Sequence, residues 1–499
     1  MGRNLAPREQ DRVEEIIGPP KSVALDASGK PTQAGEGFAR KQGLRWQDLK
    51  EVATPKGTYM AAVRRTKGRA MDVVLRELVP RVIRRIEFPR TMYWTSPEGL
   101  RFVRPIRWLV VLWNGKAVKM ELEGVRSGGA SWGHRLLANS QVPLRGVDSY
   151  QPRLKKASVL VAPAARQRKI EREMAGALRR KGLRLKPDAE LLRLVVNLTE
   201  YPSVVLGSFD ARFLSLPKEV LVTVMRHHQR YFSVADKRGR LAPKFIAVID
   251  QEHDRDGRIC RGHESVLEAR FRDAEFFWQA DQKLTLEARR SLLAYVTFVS
   301  GAGNYGQKVA RLQKLVLWLA QHLGEEGSST DKHATQCRRA DMKATMRAAS
   351  LCKSDLTTEM VRELPELQGV CGGLYARAQK ENPLVADAIY EHYRPRGPAE
   401  PIPASAEGAV LALADKLDSL AACFSVRLLP TGSQDPFALR RAGTGVVRLL
   451  VEGNLAVPLA AALQHSLALV REQGIGVKGQ DSTPELRSFL GDRASHYFR

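Results

Sequence analysis

From about residue 262 to its end, the chain places apolar residues at steps of three and four. VLEARFRDAEFFWQ, VARLQKLVLWLAQHL and AVLALADKLDSLAACF each lay an apolar stripe along one side of a helix, a period no strand can use. The second half is therefore expected to be almost wholly helical. Composition predicts two loops within it. GEEGSSTDKHATQ (324–336) is polar throughout, and YRPRGPAEPIPAS (393–405) carries four prolines.

Upstream the pattern is mixed. Residues 1–60 alternate short apolar runs with turn signals (IIGPPK, DASGKPT, ATPKG) and read as a partial segment with little independent helix. From 61 to about 90 the pattern turns helical and basic. Val73, Val74, Leu78, Val82 and Ile86 form the stripe, with Arg81, Arg84 and Arg85 around the other side. WLVVLWNGKAVKMEL has the form of a β-hairpin about an Asn-Gly turn. Residues 153–186 read as a short strand and then a very basic helix, and 191–250 mix helix and strand. These shifts define four spans: a partial N-terminal segment (1–60), a mixed α/β body (61–262), a helical domain (263–430) and a helical C-terminal segment (431–499). The class is α+β multidomain. A chain of 499 residues exceeds one ordinary domain, and 43% hydrophobic residues suffice for a sizeable core.

No apolar run reaches the roughly 18 residues of a membrane span, and MGRNLAPREQDRVEEI has no signal-peptide core, so a cytoplasmic location is the expectation. The five cysteines (Cys260, Cys337, Cys352, Cys371, Cys423) are scattered, which suggests neither a zinc site nor a disulfide framework. Charge is the loudest compositional signal. Lys and Arg number 80 against 54 Asp and Glu, a net +26, and such a surface gains counterion-release entropy from a polyanion.

Several motifs imitate chemistry. Gly301-Ala-Gly303-Asn-Tyr-Gly306 matches a dinucleotide fingerprint, with Glu325 and Glu326 about where a ribose-binding acid would fall. No second strand follows, and a glycine-rich turn between helices is the preferred reading. Gln307-Lys308 stands where a P-loop needs Lys-Ser/Thr. Glu252-His-Asp254-Arg-Asp256-Gly257 begins like a calcium loop, but His263 replaces its twelfth-position carboxylate, so a charged turn is expected. His227-His228-Gln229-Arg230-Tyr231-Phe232 gathers rings and an arginine plane suited to RNA, or forms a helix-to-strand junction with Tyr231 and Phe232 in the core. His392 and Asp415 resemble the later parts of an HD-type phosphohydrolase metal site, whose central His-Asp pair is replaced by Lys353-Ser354-Asp355. The site is expected to be a relic, and no catalytic residue and no metal ligand is assigned.

Several blocks, in order, resemble the β subunit of the bacterial two-subunit glycyl-tRNA synthetases. They are GPPKSVALDASGKPTQAGEGFARKQG (18–43), FPRTMYW (88–94), LRFVRPIRWLVVLWNG (100–115), SWGHRLL (131–137), LTEYPSVVLGSFDARFLSLPKEVLVTVMRHHQRYF (198–232), HESVLEARFRDAEFFWQAD (263–281), KSDLTTEMVRELPELQG (353–369), and LADKLDSL with LPTGSQDPFALRRAGTGVVRLL (413–450). The resemblance implies a mixed α/β N-terminal body, then a helical, degenerate HD-like domain and a helical C-terminal segment. It also implies a piece that lacks the family's N-terminal start and its C-terminal anticodon-binding domain.

The resemblance further implies a division of labour. Glycine and ATP, with Mg²⁺, react in a separate α subunit of an α2β2 assembly, and this chain needs no cofactor of its own. Its part is to hold tRNA(Gly) so that the 3′ end enters the α subunit's core, a proximity effect. Backbone contact is assigned to Arg166, Arg168, Lys169, Arg179, Arg180 and Lys181 of the basic helix and to Arg440 and Arg441 beside the PTGSQDPF turn, and RNA binding also to His228, Arg230 and Tyr231. The alternatives are a metal-dependent HD-type phosphohydrolase and a free-standing RNA-binding protein.

Overall fold

A computed structural model of the chain describes residues 5–93, 96–323, 340–431, 435–476 and 481–499. It is an α+β protein with two compact units. One is drawn from residues 1–169, 196–202 and 250–252, the other from 170–195, 203–249 and 253–499.

The first unit opens with an antiparallel sheet. Gly57–Thr66 lies at its centre, between Arg12–Pro20 and Lys50–Thr54. Met60, Ala61 and Ala62 of the middle strand are buried. Helix Gln33–Lys41 starts where the Thr32 side chain accepts from the Gly35 N–H. Helix Met71–Arg84 carries the expected stripe but buries none of its residues, with Leu78 47% and Val82 51% exposed.

The Asn-Gly hairpin is present. Leu112–Trp113 pairs with Lys116–Ala117 across Asn114 (φ +47°) and Gly115 (φ +79°), both in the left-handed region that a tight two-residue turn requires. The strand expected at the start of 153–186 is not found. Helix Val147–Lys156 runs there instead, anchored by buried Leu154, and Ser158 at φ +55° turns the chain where a strand would have to run straight. The basic helix follows as Pro163–Arg179.

In the second unit an antiparallel sheet has the order Arg184–Leu185, Phe232–Ala235, Leu241–Ile249, Ser203–Ser208. Burial alternates along Ser203–Ser208, as a half-covered strand demands. A Cβ on Gly207 would fall 2.4 Å from Phe245 Cζ, so only glycine lets that ring lie across the neighbouring strand. Helix Arg258–Asp281 packs on the sheet, its Phe271 edge-on to Phe209 at 4.9 Å. The Asp254 carboxylate accepts from the N–H groups of Ile259 and Cys260 at the start of that helix. The charged turn at 252–257 is thus a helix cap.

Helix Ala406–Ser425 runs through the middle of the helical part, buried along nearly its whole length. Around it pack Tyr305–His322, Met342–Leu351, Pro383–Glu391, Leu439–Val451 and Leu459–Glu472. One apolar core extends from Val205 on the sheet to Leu490 near the end, and the change of pattern at 262 falls inside it. GAGNYG is a turn ahead of helix Tyr305–His322. Asn304 caps the helix reciprocally with Gln307, and Gly301 and Gly303 take positive φ. The predicted loop 324–336, with Glu325 and Glu326, lies outside the described residues. So do Cys337, Trp94 and residues 432–434 of the PTGSQDPF turn. The other four cysteines are free thiols. Among the described residues no helix is long and apolar enough to cross a membrane.

Candidate functional site

The predicted contact residues divide by what already holds them. The Arg166 guanidinium donates to three backbone carbonyls, Val196 (2.7 Å), Leu160 (2.5 Å) and Val161 (2.9 Å). Lys169 Nζ donates to the Pro202 carbonyl and lies 4.8 Å from the centre of the Tyr201 ring. Both cations brace their own unit. Arg168, Arg179, Arg180 and Lys181 are exposed instead. The last three close the basic helix and its following turn, where cations also suit the helix dipole.

The RNA-suited cluster at 227–232 does not present its rings to solvent. Tyr231 is 3% exposed, stacks on Phe245 at 4.6 Å and shares a 2.6 Å hydrogen bond between its hydroxyl and His263 Nδ1. A base cannot stack on it in this structure, where Tyr231 and Phe232 both lie in the core. His228 is half-buried in a π-helical turn, Val224–His228, and lines a small pocket with Phe277 and Leu364. Arg230 is exposed, at φ +60°. Arg441 is exposed and Arg440 half-buried on the first turn of helix Leu439–Val451, whose leading N–H groups are accepted by Asp435.

The HD-like site is built from three segments that all reach the core. Asp415 projects from the central helix, His392 ends Pro383–Glu391, and Lys353 leads a short 3₁₀ turn. Lys353 Nζ sits 2.9 Å from His392 Nε2 and 2.9 Å from Asp415 Oδ2, with the Tyr393 ring centre at 3.8 Å. Lys353 is 1% exposed. His392 Nδ1 donates to the Ile389 carbonyl at 2.6 Å, which leaves Nε2 as the acceptor for the ammonium. Burial, then Lys353, push His392 well below the ordinary histidine range, so the ring is neutral. Burial opposes the Lys353 charge, but the Asp415 carboxylate together with Cys352 and Tyr305 holds the pKa above the ordinary lysine value. The ammonium therefore stands between the imidazole and the carboxylate, at the position a divalent ion would need. These residues do not fit a metal, and no group of three His, Cys, Asp or Glu arranged for one occurs among the described residues.

The cluster continues through charges that sequence reasoning did not connect with it. Lys308 Nζ reaches Asp418 at 2.9 Å and lies 3.0 Å from Asp415 Oδ1, at ion-pair distance but off the line of an N–H bond. Arg311 grips Asp418 through Nε (2.6 Å) and Nη2 (3.0 Å), while its Nη1 donates to Gln473. All four side chains are buried. Asp355 accepts from the N–H groups of Gly369 (2.6 Å) and Gly372 (3.0 Å) through one oxygen, while its other oxygen, Oδ1, is buried with no hydrogen-bond partner among the described residues.

The geometry thus defines an α+β protein whose helical part closes a buried His392–Lys353–Asp415 cluster with a lysine, and which carries exposed cations elsewhere on its surface. Comparison with known proteins gives this class a family. The model for the glycyl-tRNA synthetase beta subunit matches residues 1–499, and the chain belongs to that family. The glycine–tRNA ligase beta subunit of Acidobacterium capsulatum is 41% identical over 98% of this chain and 68% of its own length. That of Citrifermentans bemidjiense is 41% identical over 94% and 66%, and that of Shouchella clausii 40% over 99% and 69%. The chain therefore spans about two thirds of the length of these relatives.

Proposed function

We propose that this chain serves glycine–tRNA ligase as the subunit that binds tRNA(Gly) and positions its 3′ end, while glycine and ATP, with Mg²⁺, react in a separate α subunit of an α2β2 assembly. Membership of the beta-subunit family carries this reading. The ammonium of Lys353 supports it from a second side, since it fills the place where a hydrolytic metal would activate water. Exposed Arg168, Arg179, Arg180, Lys181, Arg230 and Arg441 are the cations available to RNA phosphates. Half-buried His228 and Arg440 lie beside them in sequence as edge contacts.

The decisive experiment mixes the chain with a glycyl-tRNA synthetase α subunit and follows glycylation of tRNA. Charging that requires both components is the expected result; charging by the α subunit at the same rate without this chain would count against it. Replacing Arg179, Arg180 and Lys181 together by alanine is expected to weaken tRNA binding. It should also flatten the dependence of log K on log salt by about two units, at roughly 0.7 to 0.9 per phosphate contact. An unchanged slope removes this patch from the interface.

A further inference from the structure

Beyond the basic helix, one cavity in the helical part has arginines in its wall. It measures about 130 Å³, roughly tenfold the ~10–15 Å³ that a single water needs by the same measure. Pro395, Gly397 and Pro398 line one side, and Arg440, Arg441 and Thr444 the other. Gly445 also lines it. A Cβ there would come within 2.6 Å of Lys416 Cε, so the lysine stem runs directly beneath the backbone that bounds the cavity.

Lys416 differs from the other buried lysines of this core. Lys308 and Lys353 each have a carboxylate partner. Lys416 is 7% exposed, and its Nζ donates to the Tyr393 carbonyl at 3.1 Å, with no carboxylate paired to it among the described residues. An ammonium has three donors, and burying one without a counterion is costly. Burial accordingly pushes its pKa down to about 8. The acids nearby are already engaged: Asp415, which most favours the Lys416 charge, is paired with Lys308 and Lys353. Glu400 is held by Arg396 and Glu452 by Arg448, while Asp435 caps the N–H groups of Leu439 and Arg440. Arg448 also donates to the carbonyls of Gly397 and Glu400, which fixes the loop wall. The cavity thus has a fixed shape, cations on one wall and beneath it, and a hydroxyl donor in Thr444.

We propose that this cavity receives a phosphate group, supplied in the assembled enzyme by the backbone of the bound RNA. The RNA source rests on the function proposed above; the phosphate chemistry rests on the cavity alone. Arg440 and Arg441 then grip one defined phosphate, with the charge of Lys416 beneath it, and do not merely add to a diffuse field.

The test uses the full chain and the variants Lys416→Met and Arg441→Ala. Methionine keeps the stem of Lys416 and removes a buried cation that has no carboxylate, so Lys416→Met should melt no lower than wild type. Two ligands are titrated. Inorganic phosphate is compared with chloride at matched ionic strength, by thermal shift and calorimetry. A tRNA transcript is titrated by filter binding. The expected result is a phosphate-specific stabilisation of wild type that Lys416→Met abolishes, with tRNA affinity lowered about tenfold or more in both variants. Phosphate binding lost in the variants while tRNA affinity stays unchanged would overturn the RNA source and leave a site for a free phosphate. Variants that match wild type toward both ligands would overturn the pocket while leaving the tRNA-positioning reading intact. A wild type that binds phosphate but no tRNA would sink that reading and not the pocket.

Discussion

Replacing Asp418 by alanine is expected to lower stability by about 3–5 kcal/mol, the usual cost of removing one partner from a buried ion pair. Asp418 is 1% exposed and serves two cations, Lys308 at 2.9 Å and Arg311 at 2.6 Å, each 1% exposed. Without it Arg311 keeps Gln473 and loses its charge partner, and Lys308 falls back on Asp415. Urea unfolding followed by far-UV circular dichroism measures the loss. The combined change Lys308→Met, Arg311→Met and Asp418→Leu is the control. It removes the charges with the pairing and should recover most of the stability, because the penalty lies in the orphaned cations. A midpoint unmoved by Asp418→Ala would mean that these charges are hydrated and that the polar core is not as described.

The second large effect is a pH dependence. Complete burial pushes the Asp355 carboxyl up to about 6 from an ordinary 3.8, against the opposing pull of the Gly369 and Gly372 N–H groups. Between those two values the folded chain holds a proton that the unfolded chain has released. The stabilisation from this group is therefore fully present below about pH 4 and is lost as pH rises through about 6. The shift corresponds to about 3 kcal/mol at 1.36 kcal/mol per pH unit. Asp355→Asn cannot ionise. The stability of wild type minus that of the variant should fall by about this amount between pH 4 and pH 7. A difference that stays constant across that range would show that the carboxyl is reached by water or paired.

Much of the fold was legible in the sequence, because local rules suffice for amphipathic helices and tight turns. The three/four spacing gave the helices beyond 262, Asn114-Gly115 gave the hairpin, and the failed P-loop and calcium-loop readings left turns where turns are found. Helix Val147–Lys156 was missed because its apolar content is slight, Leu154 being its one buried residue, and tertiary packing decides such a segment. The polar core was half legible. His392, Asp415 and Lys353 all drew notice as parts of a broken metal pattern, but only the fold shows the ammonium bridging the other two across 39 and 62 residues. A signal for the rest was present. Lys308 and Arg311 stand three apart on one apolar helix, and Asp415 and Asp418 three apart on another, which is how two buried faces would carry matched charges. Tyr231 shows the opposite case. Its neighbours made it look like a stacking platform, and only the fold reveals Phe245 against its face and His263 at its hydroxyl.

The apolar core running unbroken from Val205 to Leu490 has a consequence for anyone dissecting the protein. Cutting at 262, where the texture of the sequence changes, would strand the underside of the sheet and bare the helices that rest on it. An expression library of nested fragments should yield no soluble product that begins near 263, and grafting these helices onto a foreign sheet would mean rebuilding both sides of the seam.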